Sequence, residues 1–342
     1  MNIVFAGFDI HRSQITFDAL DAETGEVSTG RIASTPAAVE AWAARFPDRE
    51  VHVALEATTG WYFVVRALER AGAVAHLAEI AETRALRGRK RRAKTDRADA
   101  RWLRTLLADG RLPEAWIPPD HVCWLRVRTR LRKTLTDERT AWRQRIQATL
   151  FHLGLPSLPD GFDGDRARRW LAGHELPAAA RERVEVCLQM IEALDRQLAP
   201  IDSELRAYAR RQPGCRALAG NFGIGGLTAP VILAELGDVS RLRRSRQAVR
   251  IAGLDVGVER SDRRTRVGKI TKQGSPHLRW ALYEAAQSAT RETSPDHADY
   301  LALRERGLSH TRASLTIARK LARRSYHRLR ELGERALEEI AD

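Results

Sequence analysis

The first 80 residues constrain the fold most, because their apolar pattern changes period in a defined order. Ile3 to Ile10 is an apolar run that carries an acid, Asp9, near its end, and Gln14 to Leu20 alternates as a second strand after a short turn. A third strand near Val27 to Ala33 completes a meander. Pro36 to Phe46 reads as a helix, Val51 to Ala57 as a buried strand, Trp61 to Gly72 as a helix and Ala73 to Ala78 as a strand. This order predicts a mixed α/β domain. It sets Asp9 and Glu56 toward the carboxyl ends of central strands, where side chains converge beside a loop-lined crevice.

A third acidic element follows in Lys94-Thr95-Asp96-Arg97-Ala98-Asp99-Ala100. Thr95 or Asp96 suits a helix N-cap, and the three-residue spacing holds Asp96 and Asp99 near one helix face. Singly, each acid also fits a cap, a turn or a solvated helix. Together, Asp9, Glu56, Asp96 and Asp99 offer hard oxygen ligands to Mg2+, and two such ions about 3.5 to 4 Å apart orient an attacking oxygen and stabilise a departing one.

Charge points to the substrate. Lys and Arg total 58 against 44 acids, a formal charge of +14, which favours a polyanion, with nucleic acid the leading candidate. Between Arg84 and Arg104 lie ten basic residues, Arg89, Lys90, Arg91 and Arg92 among them, against two acids. Such a strip neutralises phosphates without reading bases; it also fits a solvated surface. Trp61 and Tyr62 could stack on a base beside Glu56 or pack in the core. Anionic membrane would attract the same charge, but no apolar stretch approaches the roughly 20 residues of a span, and the chain does not open on a basic signal region. Cys123, Cys187 and Cys215 lack zinc-finger or disulfide spacing and read as buried thiols. A cytoplasmic, nucleoid-associated protein is expected.

The chain is expected to divide into 1–112, 113–212 and 213–342, with the proline-rich Pro113 to Pro119 as the first boundary. A basic helix follows to Phe151, with Leu131, Leu135, Trp142, Ile146 and Leu150 at helical spacing. Val184, Cys187, Ile191, Leu194, Leu198, Ile201, Leu205 and Tyr208 then repeat at three- and four-residue intervals, as in a short coiled coil. Self-association through an antiparallel helical arm is favoured over packing within the chain, and Pro200 argues against one continuous straight helix. Phe222-Gly223-Ile224-Gly225-Gly226 joins two helices, either as a simple turn or with amides turned to a phosphate. Ser261 sits among Arg260, Arg263 and Arg264, with Lys269 and Lys272 further on; guanidinium groups there would bind a phosphodiester, although an exposed serine in a basic loop is the ordinary reading. Ser275 reads as a helix cap, His277 as structural, and helices at Ala281 to Ala289 and Leu315 to Leu337 complete the carboxyl-terminal part.

The strand-end Asp9, Ala54-Leu55-Glu56-Ala57-Thr58-Thr59-Gly60, the Lys94 to Ala100 motif, the later Gly-Ile-Gly and Lys269-Ile270-Thr271-Lys272-Gln273-Gly274 together resemble the bridge-RNA-guided DEDD transposases of bacterial insertion sequences, over nearly the whole chain. The resemblance implies an α/β RuvC-like, RNase-H-fold catalytic domain, an intervening coiled-coil region and a mostly helical transposase domain. It makes Asp9, Glu56, Asp96 and Asp99 an acidic tetrad for Mg2+ and aligns Ser261 with the family's serine nucleophile. Implied partners are donor and target DNA, a bridge RNA, and further copies of the chain as a dimer assembling to a tetramer. Asp262 stands where the family commonly has glycine, Val256 where it has proline, and His11-Arg12 where Ser-Lys is usual. A metal-dependent DNA-junction nuclease and a catalytically inactive nucleic-acid-binding scaffold are the alternatives.

Overall fold

The computed structural model describes residues 2–87, 95–159, 164–261 and 264–340, with backbone alone for 258–261 and 264–268. The chain divides into two compact units, Met1–Ile117 and Pro118–Asp342.

In the first unit the chain runs β1 (Ile3–Ile10), β2 (Gln14–Asp21), β3 (Val27–Ala33), α1 (Pro36–Ala43), β4 (Glu50–Glu56), α2 (Trp61–Arg70), β5 (Val74–Ala78), α3 (Ile80–Leu86) and α4 (Asp96–Ala108). The strands form one sheet in the order β3-β2-β1-β4-β5. The meander β1 to β3 is antiparallel, while β4 joins β1, and β5 joins β4, in parallel. Period-2 alternation gives the sheet two faces. One buries Val4, Ala6, Phe8, Val53 and Leu55 against Val39 and Trp42 of α1 and Val64, Val65 and Leu68 of α2. The other presents Phe5, Gly7 and Asp9 of β1 and Ala54 and Glu56 of β4 toward α4, where Ala54 and Ala78 pack on Leu103 and Leu107.

Gly7 lets α4 approach: a Cβ there would lie 2.0 Å from the carbonyl oxygen of Ala100 and 2.6 Å from the amide nitrogen of Arg104, both backbone atoms of α4. Buried Asp18 of β2 forms ion pairs with Arg101 and Arg104, so the same helix is held electrostatically as well.

The second unit contains α5 (Asp120–His152), α6 (Gly164–Ala172), α7 (Ala178–Arg211), α8 (Pro213–Ala219), α9 (Thr228–Leu236), α10 (Ser245–Ile251), β6 (Val256–Ser261), β7 (Arg264–Ile270), α11 (Pro276–Ala286), α12 (His297–Glu305) and α13 (His310–Leu332). Helices α5 and α7 form an antiparallel hairpin. Its distal end packs Ile146 and Leu150 on Val184, Cys187 and Leu188, its proximal end Leu125 on Ile201 and Leu205, and Arg132–Asp202 and Arg139–Asp195 pairs, each 2.6 Å, bridge the sides.

The α7 stripe that suggested self-association packs in this chain along α5, with α6 and α9 contributing at its two ends, and Leu131 lies outside this packing at 42% exposed. Against expectation, α7 continues through Pro200; the proline and Arg196, four residues before it, are both exposed, so the carbonyl that loses its helical partner lies on the solvent side. The remaining helices enclose the largest core, in which Ile232, Leu278, Ala281, Leu282, Ile317, Leu321 and Tyr326 are buried. The β6–β7 hairpin interrupts these helices and was not anticipated from the sequence.

Candidate metal centre

Asp9 is the penultimate residue of β1 and Glu56 the last of β4. The parallel register pairs Phe8 with Leu55, so the two acids follow at the same carboxyl edge. Thr95 caps α4 by accepting a hydrogen bond from the Ala98 amide (3.2 Å), which leaves Asp96 and Asp99 in the first helical turn, where the macrodipole favours anions.

His11, two residues beyond Asp9 and just past the strand end, completes the arrangement. Its Nε2 lies 3.2 Å from Oδ2 of Asp9 and 3.4 Å from Oδ1 of Asp96. One ligand atom from each of Asp9, His11 and Asp96 lies within 4.8 Å of the others. Asp99 pairs with Arg87. Burial pushes the Asp9 carboxyl above its ordinary pKa; Asp99 and Asp96 add to the rise, while His11 opposes it. Burial likewise raises Glu56, with the charges of Asp9 and Asp99 adding and those of Arg84 and Arg87 opposing.

The four expected acids therefore share one electrostatic neighbourhood. The tight triad itself substitutes His11 for Glu56 and Asp99. Sequence reasoning noted His11 only as a departure from a familiar pattern, although a histidine two residues after a strand-end acid falls on the same side of an extended chain. Partly buried carboxylates that repel one another are short of positive charge, and their oxygens with one imidazole nitrogen form a donor set that fits a divalent ion.

Other expected site residues are distributed differently. Arg89, Lys90, Arg91 and Arg92 lie outside the described residues; Arg97 and Arg101 on α4 are exposed. Trp61 packs against the sheet core, and Tyr62 lies under the Arg66 guanidinium, 5.3 Å from ring centroid to Cζ. Ser261 belongs to the second unit, where it ends β6 and pairs with Arg264 across the hairpin. Its side chain and those of Arg260, Arg263 and Arg264 are outside the described atoms, while Lys269 and Lys272 are exposed.

Both roots of that hairpin are held by backbone bonds, from Thr271 N–H to Asp255 O (2.9 Å) and from Lys272 N–H to Gly253 O (3.1 Å). Ser275 caps α11 and donates its hydroxyl hydrogen to Glu235 (2.8 Å). Buried Glu235 also accepts two hydrogen bonds from Arg130 (2.7 and 3.0 Å).

Comparison with known proteins matches these two regions separately. Residues 6–153 match the IS110-type DEDD family, described as a transposase, and residues 215–302 match the transposase IS116/IS110/IS902 family. This chain carries IS110/IS116-family DEDD transposase domains. The first of these transposase domains contains Asp9, His11, Glu56, Asp96 and Asp99; the second contains Ser261.

Relatives include an uncharacterized 44.8 kDa protein of insertion element IS116 from Streptomyces clavuligerus, 30% identical over 147 residues, 42% of this chain and 37% of the relative. A probable family 20 transposase of Pseudomonas aeruginosa is 26% identical over 166 residues, 47% of this chain and 49% of the relative. The transposase for insertion sequence element IS1111A of Coxiella burnetii is 29% identical over 173 residues, 47% of this chain and 45% of the relative. The chain thus spans about half or less of the length of the curated relatives it matches. Among the described residues no helix is long and apolar enough to cross a membrane.

Proposed function

We propose that this protein is a DNA transposase that cleaves, exchanges and rejoins strands, using the acidic centre with Mg2+ and Ser261 as nucleophile. One observation carries the reading: Asp9, Asp96 and His11 converge, with Glu56 and Asp99 in the same field, inside a segment that matches a DEDD transposase family. The strand order β3-β2-β1-β4-β5 with its antiparallel meander supports a RuvC-like, RNase-H-type catalytic domain over 1–112. An α5–α7 arm over 113–212 and a helical domain over 213–342 complete the proposed division.

In this scheme Asp9, Glu56, Asp96 and Asp99 hold the metal, which supplies charge for a developing alkoxide and orientation of the phosphate. The Ser261 hydroxyl oxygen attacks the scissile phosphorus. The bond from phosphorus to the departing deoxyribose oxygen breaks, and the hydroxyl proton ends on that oxygen. A serine–DNA phosphodiester conserves the bond for religation. Arg89, Lys90, Arg91, Arg92, Arg260, Arg263, Arg264, Lys269 and Lys272 bind nucleic-acid backbones, leaving target choice to pairing with a bridge RNA. Further copies of the chain, a dimer assembling to a tetramer, would hold the strands, and the expected location is cytoplasmic and nucleoid-associated.

The test combines the protein, RNA recovered with it and sequenced, matching donor and target DNA, and Mg2+, followed by denaturing electrophoresis and peptide mapping. An adduct at Ser261, lost with recombinant product in Ser261→Ala while DNA binding persists, is the expected result. Release of a DNA end without attached protein would instead identify a metal-dependent junction nuclease, and metal-independent DNA binding with no cleavage a scaffold.

A further inference from the structure

At the opposite end of the sheet from the acidic centre, His52 of β4 and His76 of β5 meet across the parallel pair. Nδ1 of His52 lies 2.9 Å from Nε2 of His76. Each ring's outward nitrogen meets a carboxylate: His52 Nε2 is 3.0 Å from Glu50, and His76 Nδ1 is 3.1 Å from Glu114. Both imidazoles are largely sheltered, with side chains 19% and 18% exposed, and Phe5 packs beside His52 with ring centroids 5.9 Å apart.

Glu50, His52, His76 and Glu114 are linked by three contacts, and each needs one hydrogen. Two neutral imidazoles supply two. If both outward N–H groups go to the carboxylates, which accept only, the inward nitrogens face each other as lone pairs at 2.9 Å. In that arrangement a metal ion between the rings would take both lone pairs. A ring whose far nitrogen is held by a carboxylate is the usual setting of a metal-binding histidine, because the carboxylate sets the tautomer and raises ligand basicity. Here that setting occurs twice, with the free nitrogens aimed at one another.

We infer that His52 and His76 form a second metal site, for a transition ion of the Zn2+ type, with Glu50 and Glu114 orienting the two rings and water completing the coordination. Imidazole nitrogen suits Zn2+, Cu2+ or Ni2+, whereas Mg2+ prefers the oxygen ligands of the acidic centre. Zn–N bonds of about 2.0–2.1 Å at a tetrahedral angle put the nitrogens roughly 3.3 Å apart, so the rings need part by only about 0.4 Å. The site is separate from the acids: His52 and Glu56 share a face of β4 four residues apart, roughly 13 Å, with Ala54, Ala78, Leu103 and Leu107 packed between the two ends. Its role would be a tie. Glu114 bridges to Ala78, and the Ala115 amide donates to Leu77 O (2.6 Å), so a bound ion would pin β4, edge strand β5 and the segment at 113–117 together.

The experiment uses the full chain stripped of metal and Zn2+ as the probe, followed by calorimetric titration and thermal melting. The parent and an Asp9→Asn/His11→Ser variant, which lacks two ligands of the acidic triad, are both expected to bind Zn2+ and to melt higher with it. Added to the Asp9→Asn/His11→Ser variant, His52→Gln and His76→Gln should each weaken its Zn2+ binding at least 100-fold. Glu114→Gln keeps both ring nitrogens and should weaken it about 10- to 100-fold, a variant that remains informative if a histidine substitution fails to fold. Cu2+ bound to the Asp9→Asn/His11→Ser protein should show nitrogen couplings from two imidazoles by electron paramagnetic resonance. The inference is overturned if Zn2+ binding to the Asp9→Asn/His11→Ser protein survives the histidine substitutions, or if that protein binds no Zn2+. It does not depend on the transposase reading, whose failure would appear at the acidic centre.

Discussion

Replacing Asp9 with asparagine should make the metal-free first unit more stable and the metal-loaded one less so. The oxygens of Asp9 and Asp96 are within 4.8 Å of one another. Two unit charges at that distance repel by about 3.5 kcal/mol at an effective dielectric near 20 and by about 0.9 kcal/mol in bulk water. Their side chains are 22% and 40% exposed, between those limits, and His11 offsets part of the repulsion. Relief of about 1–2 kcal/mol is therefore expected, roughly 3–10 °C in melting temperature for a unit this size. Saturating Mg2+ at about 100 times its Kd should stabilise the parent by about 2.7 kcal/mol and leave the variant nearly unmoved, so the order of the two melts reverses on adding the ion.

The pH dependence has a definite sign. Burial lifts Asp9 above 3.8 and Glu56 above 4.5, so the folded state holds protons that the unfolded state has released. Their contribution to stability is full below the unfolded values and is lost as pH rises through the raised ones. The metal-free parent should accordingly lose stability from about pH 4 upward through that window, and less steeply in Asp9→Asn. Calorimetric melts with chelator and with Mg2+, across pH, provide the measurement. A variant that melts lower than the parent without ions, or gains as much from Mg2+, would refute the reasoning.

Three further outcomes are expected. Gly7→Ala would drive a Cβ into the α4 backbone, 2.0 Å from Ala100 O; it should cost about 2–3 kcal/mol by overpacking and weaken Mg2+ binding at least tenfold by displacing Asp96 and Asp99, read by melting and calorimetric titration. At Glu235, burial raises the carboxyl pKa but is outweighed by the Arg130 hydrogen bonds and charge, with Arg126 and Ser275 adding, so the net shift is downward. Arg130→Met leaves that carboxylate without its main partner at a cost of about 3 kcal/mol, and Glu235→Gln in the same chain should recover part of it; urea titrations should show the gap between parent and Arg130→Met narrowing below about pH 4.5, as the parent loses its advantage through the depressed folded pKa and protonation relieves the variant. Neutralising Arg89, Lys90, Arg91 and Arg92 together should reduce the slope of log affinity against log salt by up to about 3.6 on two unrelated DNA duplexes alike, and unchanged slopes would put this strip outside the nucleic-acid interface.

Local patterns in the sequence determined a good deal. Period-2 alternation and the turn between Ile10 and Gln14 located β1 and β2, and the same reading put Asp9 and Glu56 at strand ends. Thr95 announced the start of α4 because its hydroxyl can accept from an amide three residues on. The stripe from Val184 to Tyr208 was equally legible as a helix face. Its partner was not, since an apolar stripe at that spacing buries equally well against another chain or against α5. Long-range contacts, including the Arg132–Asp202 and Arg139–Asp195 pairs, set α5 along that stripe in this chain. The β6–β7 hairpin escaped notice because arginine density between Val256 and Ile270 masked a short alternating pattern.

What only the tertiary structure decided is which local signals meet. Asp9 and Glu56 are 47 residues apart in sequence and become neighbours because β4 pairs in parallel with β1; Asp96 joins them because a missing side chain at Gly7 lets α4 lie against the sheet. His11 enters the centre, and Arg87 answers Asp99, through those same approaches. Backbone propensity and hydrophobic period act over a few residues and can be read directly. Proximity between distant side chains depends on strand register and helix docking, which the whole core selects at once.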